Sequence, residues 1–476
     1  MKCRSLLRST DNDTIAPGTM NRRAFCLSSV GALGTLLAGA SGCGNTTRRP
    51  NIVLIVLDTV RADHVSHWGY HRRTTPNLDK FSLDATAYRR AYSTSPWTLP
   101  AHATLFTGLY SFQHGVEAIL ERDAEGKEMV REPPLPDSAI TVAEILKAEG
   151  YATAAFTANT AYMSAWTNLG QGFDVYDVQR RPGVEMTEPI SSWLRTQHAK
   201  PFFLFVNYID AHFQYNTKPC PGAFDEPVSQ DKSLIIKLAD AVMPGIQSAD
   251  AQLVKEVTAQ YDLGIANADL AMGQVLDYLK QSGLYDDSVV FVTSDHGEFL
   301  GEHLYVQHSK DLYEEVLRVP LLVKAAGQSQ GTWCERPVSL VQLFGAVLDA
   351  AQAGQTLTAP SLDATAPLLA EIHYTRNYDF VNPIWGHRFR RLRTAYYEYP
   401  WKLIRSSDGH HELYNVEEDP KEATNRFGEI PDLASQLAKG LASLNPLSDA
   451  PPAPAATPSP GLSEQDKEAL KANGYL

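Results

Sequence analysis

Three uninterrupted apolar runs constrain this chain more than any other feature: Asn51-Ile-Val-Leu-Ile-Val-Leu57, Phe202-Phe-Leu-Phe-Val-Asn207 and Ser288-Val-Val-Phe-Val-Thr-Ser294. Each is rich in β-branched or aromatic residues, and each gives way to polar ones. A strand with one wet face alternates apolar with polar; a continuous run reads as a strand buried on both faces of a parallel sheet. Helical stretches separate the runs, from Ser138 to Glu149 and from Val254 to Gln281. This alternation predicts an α/β fold, a doubly wound and mostly parallel sheet with helices on both faces. Such sheets bind ligands beyond the carboxyl ends of their strands. Asp58, Asp210 and Asp295 all fall at such ends, which points to one shared site.

The remainder of the chain divides around that core. Strand-like pieces at Arg393–Tyr397, Lys402–Ile404 and Glu412–Tyr414 predict a small C-terminal α+β unit. The stretch from Asn445 to Gly461 is dense in Pro, Ala and Ser and reads as a linker, after which Ser463 caps a short helix ending at Gly474. The expected organisation is a leader and linker over 1–49, a catalytic domain over 50–369, a C-terminal subdomain over 370–444, and a Pro-rich linker with terminal helix over 445–476.

The leader reads as an address. Asn21-Arg-Arg-Ala-Phe25 followed by the apolar stretch Leu27 to Ala40 has the layout of a twin-arginine export signal, too short and too rich in small residues to span a membrane. Ala40-Ser-Gly-Cys43 resembles a bacterial lipobox, with Ala where Leu is usual. The expectation is an exported bacterial protein, periplasmic or at the cell surface, held to the membrane by a lipid on Cys43. Met20 is a possible alternative start. Of five cysteines only Cys220 and Cys334 lie in the folded body, with no CxxC pair, which disfavours a zinc–thiolate or dithiol redox site. Two cysteines so far apart are expected to be unpaired.

With 476 residues, 43% hydrophobic, the chain can bury an extensive core, and its net charge of −13 argues against nucleic acid as a partner. It leaves room for a small anionic substrate, because a buried cation sets the local field.

Five segments, in order, resemble the sulfatase family of the alkaline phosphatase superfamily, over roughly Asn51 to Gly428. They are Pro50 to Asp63; Thr75-Pro-Asn-Leu-Asp79; Ser95-Pro-Trp-Thr-Leu-Pro-Ala-His-Ala-Thr-Leu-Phe-Thr-Gly108; Asn207-Tyr-Ile-Asp-Ala-His212; and Thr293 to His303 with His308-Ser-Lys310 behind it. Glu412 to Glu422 resembles the family's closing motif. The resemblance implies a metal-dependent hydrolase of oxyanion esters. It makes Asp58, Asp295 and His296 metal ligands with Thr98 as the fourth, Lys310 the active-site lysine, and His212 the substrate histidine. Either of the last two could protonate the leaving group, a task for a group whose pKa lies near ambient pH. Arg61 is placed to bind an oxyanion or pair with a ligand carboxylate, and His308 to bind substrate.

Two departures from the family pattern bear on the reaction. Sulfatases place Cys or Ser at position 98 and oxidise it to formylglycine. Thr98 could give only a ketone, so it is expected to act as a plain alcohol, activated by the metal. His102 stands where an arginine normally steadies formylglycine, and an imidazole there could hold or deprotonate the Thr98 hydroxyl; the alternative is a helix residue exposed to water. Thr59 replaces a second aspartate and His296 an asparagine, which moves the metal preference from calcium toward manganese, zinc or iron. Asp210, His303 and His308 could complete a second metal site, but Lys310 beside them favours one ion. A phosphothreonine can be hydrolysed by water. A threonine sulfate lacks the second hydroxyl through which formylglycine ejects sulfate. Phosphate and phosphonate esters, on a glycan or lipid, are therefore the expected substrates. Sulfate hydrolysis without formylglycine, head-group transfer and a non-catalytic binding lipoprotein are the alternatives. Specificity is expected from the loops Arg122 to Pro136 and Tyr215 to Pro244.

Overall fold

The computed structural model describes residues 49–445, apart from 198–199, 216–217, 225–226 and 355–358, together with Glu468. The leader motifs lie outside the described residues, as does the expected terminal helix apart from Glu468, which is helical. An eight-stranded sheet organises the molecule. Its strands are β1 (Asn51–Leu57), β2 (Thr86–Tyr88), β3 (Ala152–Thr157), β4 (Val175–Val178), β5 (Phe202–Tyr208), β6 (Ser288–Thr293), β7 (Leu321–Lys324) and β8 (Thr332–Cys334), in spatial order β8-β2-β7-β6-β1-β5-β3-β4. β1 lies at the centre, parallel to both β5 and β6. β7 runs against its neighbours β6 and β2.

The apolar runs are explained by what covers them. Val53, Ile55 and Leu57 enter one hydrophobic cluster, while Ile52, Leu54 and Val56 enter another on the opposite face. Both faces of β1 are dry, so every position after Asn51 is apolar until the strand ends at Asp58. One face is covered by helix residues Ala251–Gln281, begun by Asp250, whose carboxylate accepts from the amides of Gln252 (2.9 Å) and Leu253 (3.2 Å). That helix extends three residues upstream of the apolar periodicity, because the capping aspartate precedes it. On the other face lie the helices Thr98–Thr107, Val142–Ala148 and Gln342–Ala350. The second of these is shorter than its apolar pattern predicts. Thr141 and Glu144 form a capping box that sets its start.

At the C-terminus, β9 (Leu368–Ile372), β10 (Arg393–Glu398), β11 (Trp401–Ser406) and β12 (Glu412–Asn415) form an antiparallel sheet in that order. Helix Pro431–Leu444 packs on it through Ala434 and Leu437 against Leu403 and Leu413. β9 supplies a strand that the periodicity had not revealed. Cys220 and Cys334 are both free. No helix among the described residues is long and apolar enough to cross a membrane.

Candidate active site and metal centre

The carboxyl ends of β1 and β6 bring Asp58, Asp295 and His296 together, with ligand-type atoms all within 4.8 Å of one another and all three side chains fully buried. Asp58 receives Asn159 Nδ2 (3.0 Å) and Asn207 Nδ2 (3.3 Å) on Oδ2; Asp295 receives the Thr59 and His296 amides (3.1 and 2.9 Å) on Oδ1. The other oxygens, Asp58 Oδ1 and Asp295 Oδ2, are buried without a hydrogen-bond partner. Burial pushes both carboxyls up to about 7, and for Asp58 the nearby Asp295 adds to it. Two buried carboxylate oxygens without hydrogen-bond partners, that of Asp295 lying 3.4 Å from His296 Nε2, are what a cation resolves.

His296 has a defined tautomer. Its Nδ1 lies 2.9 Å from the Gly297 carbonyl, which can only accept, so Nδ1 carries the proton and Nε2 keeps its lone pair. Nε2 is 3.3 Å from Thr98 Oγ1. Gly297 is required there, since a Cβ would stand 1.9 Å from the Glu315 carbonyl oxygen. The donor set, two carboxylate oxygens, one imidazole and one hydroxyl, therefore fits a divalent ion.

Thr98 is the first residue of its helix, fully buried. The positive end of the helix dipole falls there and favours charge that develops on its oxygen. His102, one turn on, differs from both expectations for it. It is buried, and its Nδ1 donates to the Thr98 backbone carbonyl (2.9 Å) rather than meeting the hydroxyl. Burial lowers its pKa to about 4, so the imidazole is neutral and fixes the helix start. Arg61 is likewise engaged elsewhere: it donates to Asp63 through Nε and Nη2 and to the Glu298 carbonyl and Glu302 through Nη1. Its guanidinium thus braces the loop after β1 instead of meeting an ester oxyanion. Thr59 is no ligand. Its backbone is left-handed (φ 63°), a strained state for a β-branched residue, and this aims its amide at Asp295.

A matching family model spans residues 50–353, well over half of the chain, under the description sulfatase. The chain belongs to the sulfatase family. It is a hydrolase acting on sulfate or phosphate esters. Similar proteins include an ulvan-active sulfatase of Formosa agariphila, 24% identical, with 83% of this chain and 82% of that one covered. A phosphonate monoester hydrolase of Agrobacterium radiobacter superposes with a TM-score of 0.64 at 20% identity, covering 84% of this chain and 96% of that one. A structure in complex with its substrate D-glucosamine-2-N,6-O-disulfate gives 0.63 at 20% identity, covering 85% and 99%. At these identities the two structures speak to the fold alone.

Imidazoles cluster beside the metal group. The His308 ring centroid lies 4.6 Å from that of His296 and 4.8 Å from that of His212. Glu298 accepts from His308 Nδ1 (3.1 Å), and the Phe213 carbonyl from His212 Nδ1. Burial holds both imidazoles well below the ordinary histidine pKa. His303 is elsewhere, stacked on Tyr313 (3.7 Å) and paired with Glu315, while Asp210 accepts the Gly183 amide. The considered second metal site is therefore not assembled, and among the described residues Asp58, Asp295 and His296 form the one candidate metal group. Lys310 Nζ is buried against Asp379, which also accepts from Arg376 and from Trp385 Nε1 (3.3 Å). Burial, then Arg376, push the Lys310 pKa down to about 8.

Sequence reasoning passed over Asn159, Glu298, Arg376 and Asp379. Asn159 lies two residues past the end of β3, as Asp58 lies one past the end of β1, a signal that could have been read. Asp379 sits on a four-residue helix, Asn377–Phe380, within no motif. A further signal was latent in the loop around His308, where His303, Leu304, Gln307 and Ser309 all adopt positive φ.

Proposed function

We propose that this protein is an exported, metal-dependent hydrolase of phosphate- and phosphonate-type esters that uses Thr98 as its nucleophile. The observation that carries this reading is the position of Thr98 Oγ1, 3.3 Å from His296 Nε2 beside two carboxylate oxygens without partners. Asp58, Asp295, His296 and Thr98 would hold one divalent ion, with manganese, zinc or iron favoured over calcium. When bound, that ion supplies Lewis acidity and neutralises charge on the ester oxygens. Thr98 Oγ attacks phosphorus as its hydroxyl proton passes to solvent, the bond to the leaving oxygen breaks, and water afterwards cleaves the phosphoryl or phosphonyl ester left on the threonine. Lys310 Nζ, with a pKa near 8, carries a proton for the leaving oxygen at neutral pH. His212 does not: its one proton is held by the Phe213 carbonyl, and burial keeps it from taking a second. It and His308 stand beside the metal group as polar residues for binding the substrate.

The substrate is a small anionic ester, on a glycan or a lipid; a sulfated sugar is the ligand of one structural relative. The twin-arginine leader and Cys43 support export and lipid anchoring at the membrane. The test compares aryl sulfate, phosphate monoester, phosphodiester and phosphonate monoester as substrates of metal-reconstituted protein lacking residues 1–49. The expected result is turnover of phosphorus esters with little of sulfate, lost in Thr98→Ala while the metal stays bound. Preferential sulfate turnover, as the name of the Formosa relative suggests for that protein, would overturn the reading.

A further inference from the structure

The turn that delivers Thr98 is tied at both ends. On one side the single Ser93 hydroxyl proton is shared between the Asp295 and Ser95 carbonyls, and the Ser309 amide donates to the Pro96 carbonyl (3.0 Å). On the other side stands Glu117, a carboxylate 2% exposed on the segment after the nucleophile helix. Ser95 Oγ donates to Glu117 Oε1 (3.3 Å), and Trp97 Nε1 donates to Oε2 (3.4 Å). The Ala118 amide reaches the same Oε2 (3.3 Å). Trp97 itself is the extended residue (φ −160°, ψ 160°) from which the helix starts, and it makes no side-chain cap. Its ring meets Tyr162 edge-on at 5.4 Å.

From this arrangement we infer that Glu117 is a positioning residue for the nucleophile, acting through Ser95 and Trp97 to fix where Thr98 Oγ points. The inference rests on the reading of Thr98 as nucleophile. A buried carboxylate is expensive unless several donors meet it, and here two of them come from the residues three and one before Thr98. Two oxygens gripping two side chains of one turn set its rotation as well as its position, which a single contact could not. An oxygen moved by about 1 Å from its line of attack loses on the order of a hundredfold in rate. Glutamine keeps one acceptor oxygen but replaces the other with an N–H group, which cannot accept from Trp97 or Ser95. It therefore preserves half of the grip.

The experiment compares wild type, Glu117→Ala, Glu117→Gln and Thr98→Ala, using 4-nitrophenyl phenylphosphonate as probe and hydrogen exchange of the peptide spanning 93–98. For Glu117→Ala we expect kcat to fall about ten- to a hundredfold, with KM and bound metal unchanged and with exchange raised in that peptide alone. Glu117→Gln should fall between Ala and wild type in both readouts. Unchanged kcat and exchange in Glu117→Ala would overturn the inference. So would a loss that follows metal release, or exchange raised throughout the chain, since either marks a general structural role. Full activity in Thr98→Ala, or no turnover of the probe by wild type, strikes the proposed function instead, and the local exchange then decides the role of Glu117.

Discussion

Replacing Asp379 with asparagine keeps the shape of the side chain and removes the charge that Lys310 and Arg376 share. Asp379 accepts from Lys310 Nζ, from Arg376 Nε (3.3 Å) and Nη2 (3.0 Å), and from Trp385 Nε1 (3.3 Å). Burial pushes its carboxyl up, but Lys310 and Arg376 outweigh burial and hold it at about 2, below the ordinary 3.8. That difference corresponds to about 2 kcal/mol of native-state stabilisation. The side chains of Asp379 and Lys310 are 4% and 0% exposed, so solvent screens little of it. Leaving two buried cations without this carboxylate raises the expected loss to about 3 kcal/mol. At about 2 cal/mol/K per residue over about 400 residues, the melting temperature should fall by about 4 °C. The sign of the pH dependence follows from the direction of the shift. A carboxyl whose folded pKa is depressed stabilises fully above its unfolded value and loses that contribution as pH falls toward the folded one. Calorimetry of both proteins from pH 7 to pH 3 should show the gap constant down to about pH 5 and narrowing below pH 4. Equal melting temperatures at pH 7, or a gap that does not narrow in acid, would refute the reasoning.

Removing metal with a chelator should lower the melting temperature of the wild type and leave His296→Ala unaffected, with manganese or zinc restoring the former; a melting curve indifferent to chelation would show that the carboxylate cluster holds no ion. Asn159→Ala frees Asp58 from one of its two amide donors, and calorimetric titration should find metal affinity reduced about ten- to a hundredfold, the usual effect of removing a group that orients a ligand. His102→Ala should reduce turnover without abolishing it, because the imidazole supports the helix start and does not touch the Thr98 hydroxyl; loss as complete as in Thr98→Ala would restore it as the base.

The fold was legible wherever local pattern and tertiary environment coincide. Asn51–Leu57 reads as a fully buried strand and is one, because alternate residues feed two separate cores and both demand apolar side chains. The ends of elements were less legible. Thr141 shortens one helix and Asp250 lengthens another, since caps act outside the periodic stretch. In the site, residues announced by motif and strand end, namely Asp58, Asp295, His296 and Thr98, do converge. His102, Arg61 and His212 carry side-chain types suited to catalysis, yet their partners, which sequence does not display, determine what they do.

The sequence alone determined the chemistry available: a parallel sheet whose central strands end in carboxylates, and a threonine that formylglycine chemistry cannot use. These follow from covalent structure and from local hydrophobic pattern, both carried by neighbouring residues. Tertiary structure decided which groups are free to act. Whether a buried carboxylate oxygen has a partner, which imidazole nitrogen holds the proton, and whether Lys310 answers to Asp379 depend on contacts between residues far apart in the chain. Those contacts are set by packing, and packing is a property of the whole fold.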